Sequence, residues 1–337
     1  MIGMRRRVAG LVRVLVMLVR PPVLVVIMLF AALGIAQSSP RAEVHPLLTT
    51  VLVIIGAWLI NAAALNDLAD EQIDRVNLAN ARGRPLVSGQ ASRRQMLALA
   101  LVTGSIALAV AATQGWRVAA VVAGGLALNA AYSLPPLRLS HRGVIASLVL
   151  PVAFVVVPYL VGAFVVRPDL GRRDLVLLPG LYVGFIGRIL LKDFRDAAGD
   201  ALFGKWTFLL RHGRATTCRV SAVCWVVGTV AVIAVVPFSP LVVVVGAVFL
   251  GCALHGLVRL STLGAEPDVV ADQVVIGAIA QAGRGICITV LAHLTMRGEG
   301  WSPGAQAAIV ALLALAFVLE YLMTLAERSP QWALRPT

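Results

Sequence analysis

The stretch "VLVIIGAWLINAAALNDLADEQID", Val51–Asp74, decides the fold. It opens with an apolar run broken by one polar side chain, Asn61, and then changes character at Asn66, Asp67, Asp70 and Asp74. The same change recurs where the apolar "LVLLPGLYVGFIGRILL", Leu175–Leu191, gives way to "KDFRDAAGDALF", Lys192–Phe203. The chain as a whole is 59% hydrophobic and only 13% charged, with a mean hydropathy of +0.90. Soluble globular domains average about 25% charged residues. Apolar runs of about 20 residues match a hydrocarbon core about 30 Å thick. The composition therefore predicts a polytopic membrane protein.

Ten windows read as candidate spans: 15–36, 45–66, 95–113, 116–134, 144–166, 174–192, 217–237, 239–258, 273–295 and 304–326. Lipid accepts helices or closed barrels, and no segment shows the period-2 alternation of barrel strands. The expected fold is an all-α transmembrane bundle of nine to ten spans, one membrane domain over 1–337. Its first helical half, 15–134, holds the first acidic run, and its second, 144–326, holds the other. No cleavable signal peptide is expected, because the apolar stretch after the basic N-terminus lacks a small-residue cleavage site. Cys218, Cys224, Cys252 and Cys287 lie in or beside apolar stretches without a CxxC pair, so reduced thiols are expected and neither a disulfide framework nor a zinc site.

The net charge is +13. Its carriers include Arg5, Arg6, Arg7 and Arg13, then Arg75, Arg82, Arg84, Arg93 and Arg94, then Arg138 and Arg142, then Lys205, Arg211, Arg214 and Arg219. All of these fall on one side if the N-terminus is cytoplasmic, as the positive-inside rule demands. "RPDLGRRD", Arg167–Asp174, is a local exception on the other side. The basic residues are spread over separate membrane loops, which argues against nucleic acid as a partner. No obligate protein partner is evident. The high Ala, Val and Arg content suggests a bacterial source, and hence the inner (cytoplasmic) membrane with the acidic runs on the cytoplasmic side.

Six of the ten aspartates sit in two windows that both read D-x-x-D-x-x-x-D: Asp67, Asp70, Asp74 and Asp193, Asp196, Asp200. At about 100° per residue each triplet occupies a narrow arc of a helix, with Asn66 at the edge of the first arc. Each triplet ends an even-numbered span, so both face one compartment. Carboxylates packed this closely repel and need a counter-charge. Hard divalent cations with oxygen ligands are the obvious candidate. Mg2+ takes one or two carboxylates, keeps waters and fills its remaining positions with phosphate oxygens. That arrangement suits a diphosphate whose charge grows as it departs. Candidate phosphate-handling groups on the same side are Arg75, Arg82, Arg84, Arg138, Arg142 and Lys192, with Asn129 and Tyr132 at the end of the fourth span and Arg20 inside the first apolar segment. Arg20 either faces a cavity or snorkels to the interface. Tyr132 reads equally as a membrane-interface aromatic.

These residues resemble the UbiA-type intramembrane prenyltransferase superfamily. The first signature is similar to N-D-x-x-D-x-x-x-D at Asn66, Asp67, Asp70 and Asp74, followed by "RPLVSG" at Arg84–Gly89. The second is similar to D-x-x-x-D at Asp196 and Asp200, extended upstream by Lys192 and Asp193 and downstream by "GKWTF". "YSLPPLRLSHRG" and the "RPP" of the first span also fit, so the match covers residues from about 18 to 215. The resemblance implies a lipid-accessible central cavity that takes an isoprenyl diphosphate. It implies two Mg2+ ions, one held by Asn66, Asp70 and Asp74 with Asp67 beside them, the other by Asp193 or Asp196 with Asp200. Arg20, Arg75, Arg138 and Lys192 would neutralise the diphosphate. Prenyl transfer would proceed through an allylic cation to a small acceptor, expected to be aromatic or otherwise electron-rich, with diphosphate released. Asp70, Asp74, Asp196, Asp200 and Tyr132 are the candidate catalytic residues.

Other readings stay open on the motifs alone. A UbiA-type terpene cyclase would ionise the same diphosphate and need no acceptor. Phosphoribosyl transfer to a polyprenyl phosphate uses similar metal logic. A CDP-alcohol phosphotransferase would need D-G-x-x-A-R before its aspartates, and neither run reads so. The non-enzyme alternative is a cation-coupled transporter, whose site would sit near the membrane midplane rather than at helix ends.

Overall fold

The computed structural model describes residues 2–38, 44–77, 84–235, 239–263 and 269–326. The basic position Arg82 lies outside the described residues. The described chain is helical and contains no strand. In order the helices are α1 (Ile2–Val19), α2 (Pro21–Ser38), α3 (Val44–Ala69), α4 (Glu71–Asn77), α5 (Arg93–Thr113), α6 (Trp116–Ser133), α7 (Val144–Pro151), α8 (Val157–Val166), α9 (Asp174–Leu190), α10 (Asp193–Leu202), α11 (Phe208–Val235), α12 (Pro240–Thr262), α13 (Val269–Gly298) and α14 (Pro303–Ala326). Among the described residues nine segments are long and apolar enough to cross a membrane. The chain is a multi-pass membrane protein built as a helical bundle.

Two expectations need correction. The window 15–36 is not one helix, because α1 stops at Val19 and α2 starts at Pro21. Arg20 between them adopts φ +46°. Pro21 and Pro22 cannot donate backbone hydrogen bonds, and proline disfavours helical geometry in the residue before it. The window 116–134 is helical over Trp116–Ser133 but is not among the nine apolar segments. Arg117, Asn129 and several small residues dilute its hydropathy. The segment Val144–Val166 crosses as α7 and α8 joined by a π-helical turn at Val152–Val156, directly after Pro151. A proline has no N–H to donate to the regular helix ladder, which favours such a local rewinding.

The chain forms two compact units. The first contains α1, α2 as far as Gly34, α3 to α8, and the segment Ala198–Trp206. Lipid tails are as apolar as leucine, so close backbone approach between small residues carries much of the packing. α2 and α8 meet this way. A methyl group added at Gly162 would sit 2.1 Å from the Ala31 carbonyl oxygen, and one at Gly34 would sit 2.2 Å from the Tyr159 carbonyl oxygen. Gly162→Ala is therefore expected to lower the unfolding midpoint in detergent by forcing these helices apart. A midpoint equal to wild type would refute that packing. Under the end of α3, Val14, Leu18, Ala64, Leu65, Leu86, Met96 and Ala100 form one apolar cluster. It fixes α1, α5 and the Arg84–Ala91 turn against the residues immediately before Asn66. α5 itself starts in a capping box, with Gln95 N–H donating to Ser92 Oγ at 3.3 Å and Ser92 N–H donating to Gln95 Oε1 at 2.8 Å. Loss of such a cap costs about 1 kcal/mol.

The second unit contains the last turn of α2, the segment Asp169–Ala197 and α11 to α14. α9 and α11 pack through glycines, and a methyl group on Gly228 would lie 2.5 Å from Gly184 Cα. Ser221 Oγ donates to the Gly187 carbonyl at 2.8 Å, bonding the same two helices. Arg214 makes a two-pronged ion pair with Asp272, at 2.8 and 2.7 Å, and so ties α11 to α13.

Candidate active site

α3 carries the first acidic run out of the bundle in helical register. Asp70 N–H donates to the Asn66 carbonyl at 2.9 Å and Asp74 N–H to the Asp70 carbonyl at 2.8 Å, so the geometry persists across the bend at Asp70. Asn66 Nδ2 also donates to Asp70 Oδ2 at 2.9 Å. Asp67, Asp70 and Asp74 are only 2%, 7% and 7% exposed. Buried carboxylates must be paired or protonated. Here a ring of cations surrounds them. Arg20 Nη2 donates to Asp67 Oδ1 at 2.9 Å. Arg84 Nη1 bonds the same oxygen, and Arg84 Nε lies 3.2 Å from Asp74 Oδ2. Arg138, in the left-handed region at φ +40°, donates to the Ala69 carbonyl at 3.0 Å and stands 3.8 Å from Asp70 Oδ1. A cation on the last carbonyls of α3 also answers the negative end of that helix. His141 Nε2 lies 3.6 Å from Asp70 Oδ1, too far for a hydrogen bond but close enough for attraction.

Asp70 and Asp74 titrate in opposite directions. Burial works to raise Asp70, but His141, Lys205 and Arg138 together outweigh it and hold the group below its ordinary value. Burial pushes Asp74 up to about 6; Asp67 and Asp70 add to the rise, while Arg84 and Arg20 oppose it. One oxygen of each aspartate, Asp67 Oδ2, Asp70 Oδ1 and Asp74 Oδ2, is buried without a hydrogen-bond donor. Buried polar atoms without partners are rare and call for an explanation.

The second run lies on α10. Asp193 is buried, and Asp196 is half-buried and accepts from Arg195 Nε at 2.8 Å. Both belong to the second unit, as does half-buried Lys192 at the start of the run. Asp200 belongs to the first unit, is buried, and pairs with Lys205 Nζ at 3.1 Å. Gly204 at φ +67° turns the chain back so that Lys205 N–H also donates to the Asp200 carbonyl at 2.8 Å. The Lys205 charge reaches Asp70 as well as Asp200. Within the first unit, therefore, the last aspartate of the second run shares a counter-ion with the first run.

Other residues singled out in the sequence are placed differently. Asn129 is buried and donates to Asn61 Oδ1 at 3.1 Å, while Asn61 Nδ2 donates to the Ala100 carbonyl at 2.9 Å. This amide pair joins α6, α3 and α5. Arg75 reaches back one turn to Glu71 at 2.9 Å and is mostly exposed. Tyr132 is half-buried on the last turn of α6. Beside the aspartates rather than over them lies a half-open cleft of about 320 Å³, lined by Leu68, Ala69, Glu71, Gln72, Ile73, Arg93, Arg138, His141 and Phe203. Three residues gain roles the sequence reading did not assign. Arg84 clamps Asp67 and Asp74, His141 faces Asp70, and Lys205 serves Asp200. The signal was present for each, since all lie in the conspicuous segments "RPLVSG", "YSLPPLRLSHRG" and "GKWTF".

The profile of the UbiA prenyltransferase family matches residues 21–269, a stretch that includes both acidic runs. The chain belongs to that family. Among curated UbiA relatives, it is 29% identical over 170 residues to the bacteriochlorophyll synthase 34 kDa chain of Chloroflexus aurantiacus, covering 50% of this chain and 53% of that one. It is 30% identical over 181 residues to the homogentisate phytyltransferase of Synechocystis, covering 50% and 57%. The chain thus matches about half the length of these curated relatives. Its fold matches a UbiA homologue from Archaeoglobus fulgidus solved with GPP and Mg2+, at a TM-score of 0.56, 17% identity, and coverage of 93% and 99%. It also matches a digeranylgeranylglyceryl phosphate synthase at a TM-score of 0.62 and 14% identity, covering 84% and 98%.

Proposed function

We propose that this UbiA-family chain transfers a prenyl group from an isoprenyl diphosphate to a small electron-rich acceptor, expected to be aromatic, at the cytoplasmic face of a bacterial inner membrane. One observation carries the reading. Three buried carboxylates at the end of a membrane-spanning helix each keep an oxygen that makes no formed hydrogen bond, that of Asp74 meeting Arg84 only as an ion pair, and five basic side chains, Arg20, Arg84, Arg138, His141 and Lys205, surround them. Such a mixed field binds a polyanion together with its cations.

Among the described residues no three His, Cys, Asp or Glu side chains form a ready-made metal cage. Mg2+ does not need one, because it takes one or two carboxylates and completes its shell with water and phosphate oxygens. The orphaned oxygens of Asp67, Asp70 and Asp74 fit that requirement. Asn66, Asp70 and Asp74, with Asp67 beside them, would hold one ion, and Asp193 or Asp196 with Asp200 a second. Bound there, Mg2+ would stabilise charge on the departing diphosphate.

The chain's own residues do the rest. Arg138, held by the Ala69 carbonyl, offers its remaining donors to diphosphate oxygens. Arg20 and Arg84 orient Asp67, and Arg84 also orients Asp74. Lys192 and Arg75 are assigned to the same anion and Tyr132 to positioning the substrate, while Asn129 is held in the helix contact with Asn61. Breaking the C–O bond to diphosphate would leave an allylic cation; the acceptor would bond to it and give up a proton to the released diphosphate. A greasy surround is required, since water would trap the cation as an alcohol.

The test is direct. Purified protein, Mg2+, labelled geranylgeranyl diphosphate and a native lipid extract are incubated and the products read by mass. A prenylated acceptor is expected. A cyclic hydrocarbon formed without extract would instead make the protein a terpene cyclase, and no diphosphate release would end the reading. Arg138→Ala is expected to raise KM for the diphosphate about tenfold, the size of one charge-assisted hydrogen bond. An unchanged KM would reduce Arg138 to a cap on α3.

A further inference from the structure

α9 gives way to α10 within two residues, Leu191 and Lys192, so the second acidic run starts close to the end of a spanning helix. Which way its carboxylates face then depends on the roll of α10 about its own axis. Phe194 fixes that roll. It directly follows Asp193, is 5% exposed, and lies under the guanidinium of Arg214, whose Cζ stands 5.0 Å from the ring centroid. At about 100° per residue, Phe194 is about 100° round the helix from Asp193 and about 160° from Asp196. The anchored ring and the carboxylates therefore occupy different faces of α10, and turning one turns the others.

Arg214 is itself held from three sides. It follows Gly213, which kinks α11 at φ +75°, a conformation that favours glycine. Thr217 Oγ1 donates to the Gly213 carbonyl at 2.8 Å and closes the turn after the kink. Arg214 Nη1 donates to the Leu260 carbonyl of α12 at 2.8 Å, and both Nη atoms reach Asp272 of α13, which is 2% exposed. With those edge donors committed, the guanidinium offers Phe194 its face, and an aromatic ring is a partner that such a face takes. Phe194, Arg214, Leu260 and Asp272 all belong to the second unit. Apolar side chains of similar volume would pack these helix ends as well as a buried ion pair does. What the pair adds is a fixed direction for the guanidinium.

We propose that Arg214 is a positioning residue for the second acidic run: through Phe194 it fixes the roll of α10, so that Asp193 and Asp196 face the cation assigned to them. This role rests on the cation-bound reading of the acidic runs given above. Arg214 touches neither carboxylate; it acts through the ring, and Asp272 and the Leu260 carbonyl keep it in place. Residues that orient a metal ligand from behind typically change metal affinity about 10–100-fold when lost.

Mn2+ is the probe. The full chain in detergent, with a non-ionisable prenyl diphosphate analogue, is titrated with Mn2+ and the free ion is read by electron paramagnetic resonance. The wild type is expected to take up two ions. Phe194→Leu keeps an apolar side chain and removes the ring face, and should weaken one of the two by at least about tenfold. Arg214→Gln should do the same. Arg214→Lys should recover part of the loss, because an ammonium can also sit over a ring but cannot fork onto Asp272. The double variant should lose no more than either single one, since both act through one contact. Ser221→Ala removes the bond to the Gly187 carbonyl in the same unit, and should lower the unfolding midpoint without moving Mn2+ affinity. Wild-type affinity for both ions in Phe194→Leu overturns the role of Arg214 and leaves the cation-bound reading standing. Additive losses in the double variant, or an equal loss in Ser221→Ala, overturn it as well. Uptake of fewer than two ions by the wild type overturns the second ion and this role together. If Arg214→Gln does not fold, Phe194→Leu decides.

Discussion

Asp70→Ala is expected to cut turnover by at least 10²–10³-fold, about the loss seen when one preorganised contact to developing charge is removed. Asp70 is the member of the first run that accepts from Asn66, faces Arg138 and His141, and feels Lys205 beside Asp200. On the proposed reading its loss removes a metal ligand, and it takes a counter-charge away from Arg138. The fold should survive, because the core under α3 is built from Leu18, Ala64, Leu65 and Met96, none of which touches the carboxylate chemistry. Asp200→Ala should lose turnover to a similar degree. EDTA should abolish activity in the wild type, and Mg2+ should restore it. Steady-state turnover of purified variants checks all three, and full activity in either variant, or turnover that persists in EDTA, would remove the metal assignment.

Arg84→Ala carries the second large effect, on stability. Arg84 is 11% exposed and bridges Asp67, 2% exposed, to Asp74. Removing one partner of a buried ion pair costs about 3–5 kcal/mol when the other charge stays buried; Asp67 would keep Arg20, whereas Asp74 would lose its ion pair. The unfolding midpoint of Arg84→Ala in detergent should therefore fall well below that of wild type. Added Mg2+ should recover part of the loss in Arg84→Ala, since a bound cation answers the same carboxylates. Arg75→Ala is the contrast: its partner is Glu71 on an exposed surface, and such pairs contribute about 0–1 kcal/mol. Equal losses in the two variants would contradict the clamp assigned to Arg84.

Much of this was legible in the residues. Span length and hydropathy read off the helices that matter, and the D-x-x-D-x-x-x-D spacing put three carboxylates on one arc of α3–α4 and of α10. Even the broken first span was written in "RPP", since Arg20 precedes two prolines. What escaped depended on chain return. Arg84 lies 17 residues from Asp67 and His141 lies 71 from Asp70, and nothing in local periodicity says that either folds back. Asn129 shows the converse. Its position near the end of α6 suggested the phosphate site, whereas its side chain is committed to Asn61 across a helix contact. A polar residue in an apolar helix looks the same in sequence whether it serves a ligand or a neighbouring helix.

The most direct measurement is an anomalous-scattering map from crystals grown with Mn2+ and a non-ionisable prenyl diphosphate analogue. Two peaks are predicted, one on Asn66, Asp70 and Asp74 and one on the aspartates of α10, each in contact with the diphosphate. A diphosphate bound away from both runs, or peaks on neither, would contradict the account.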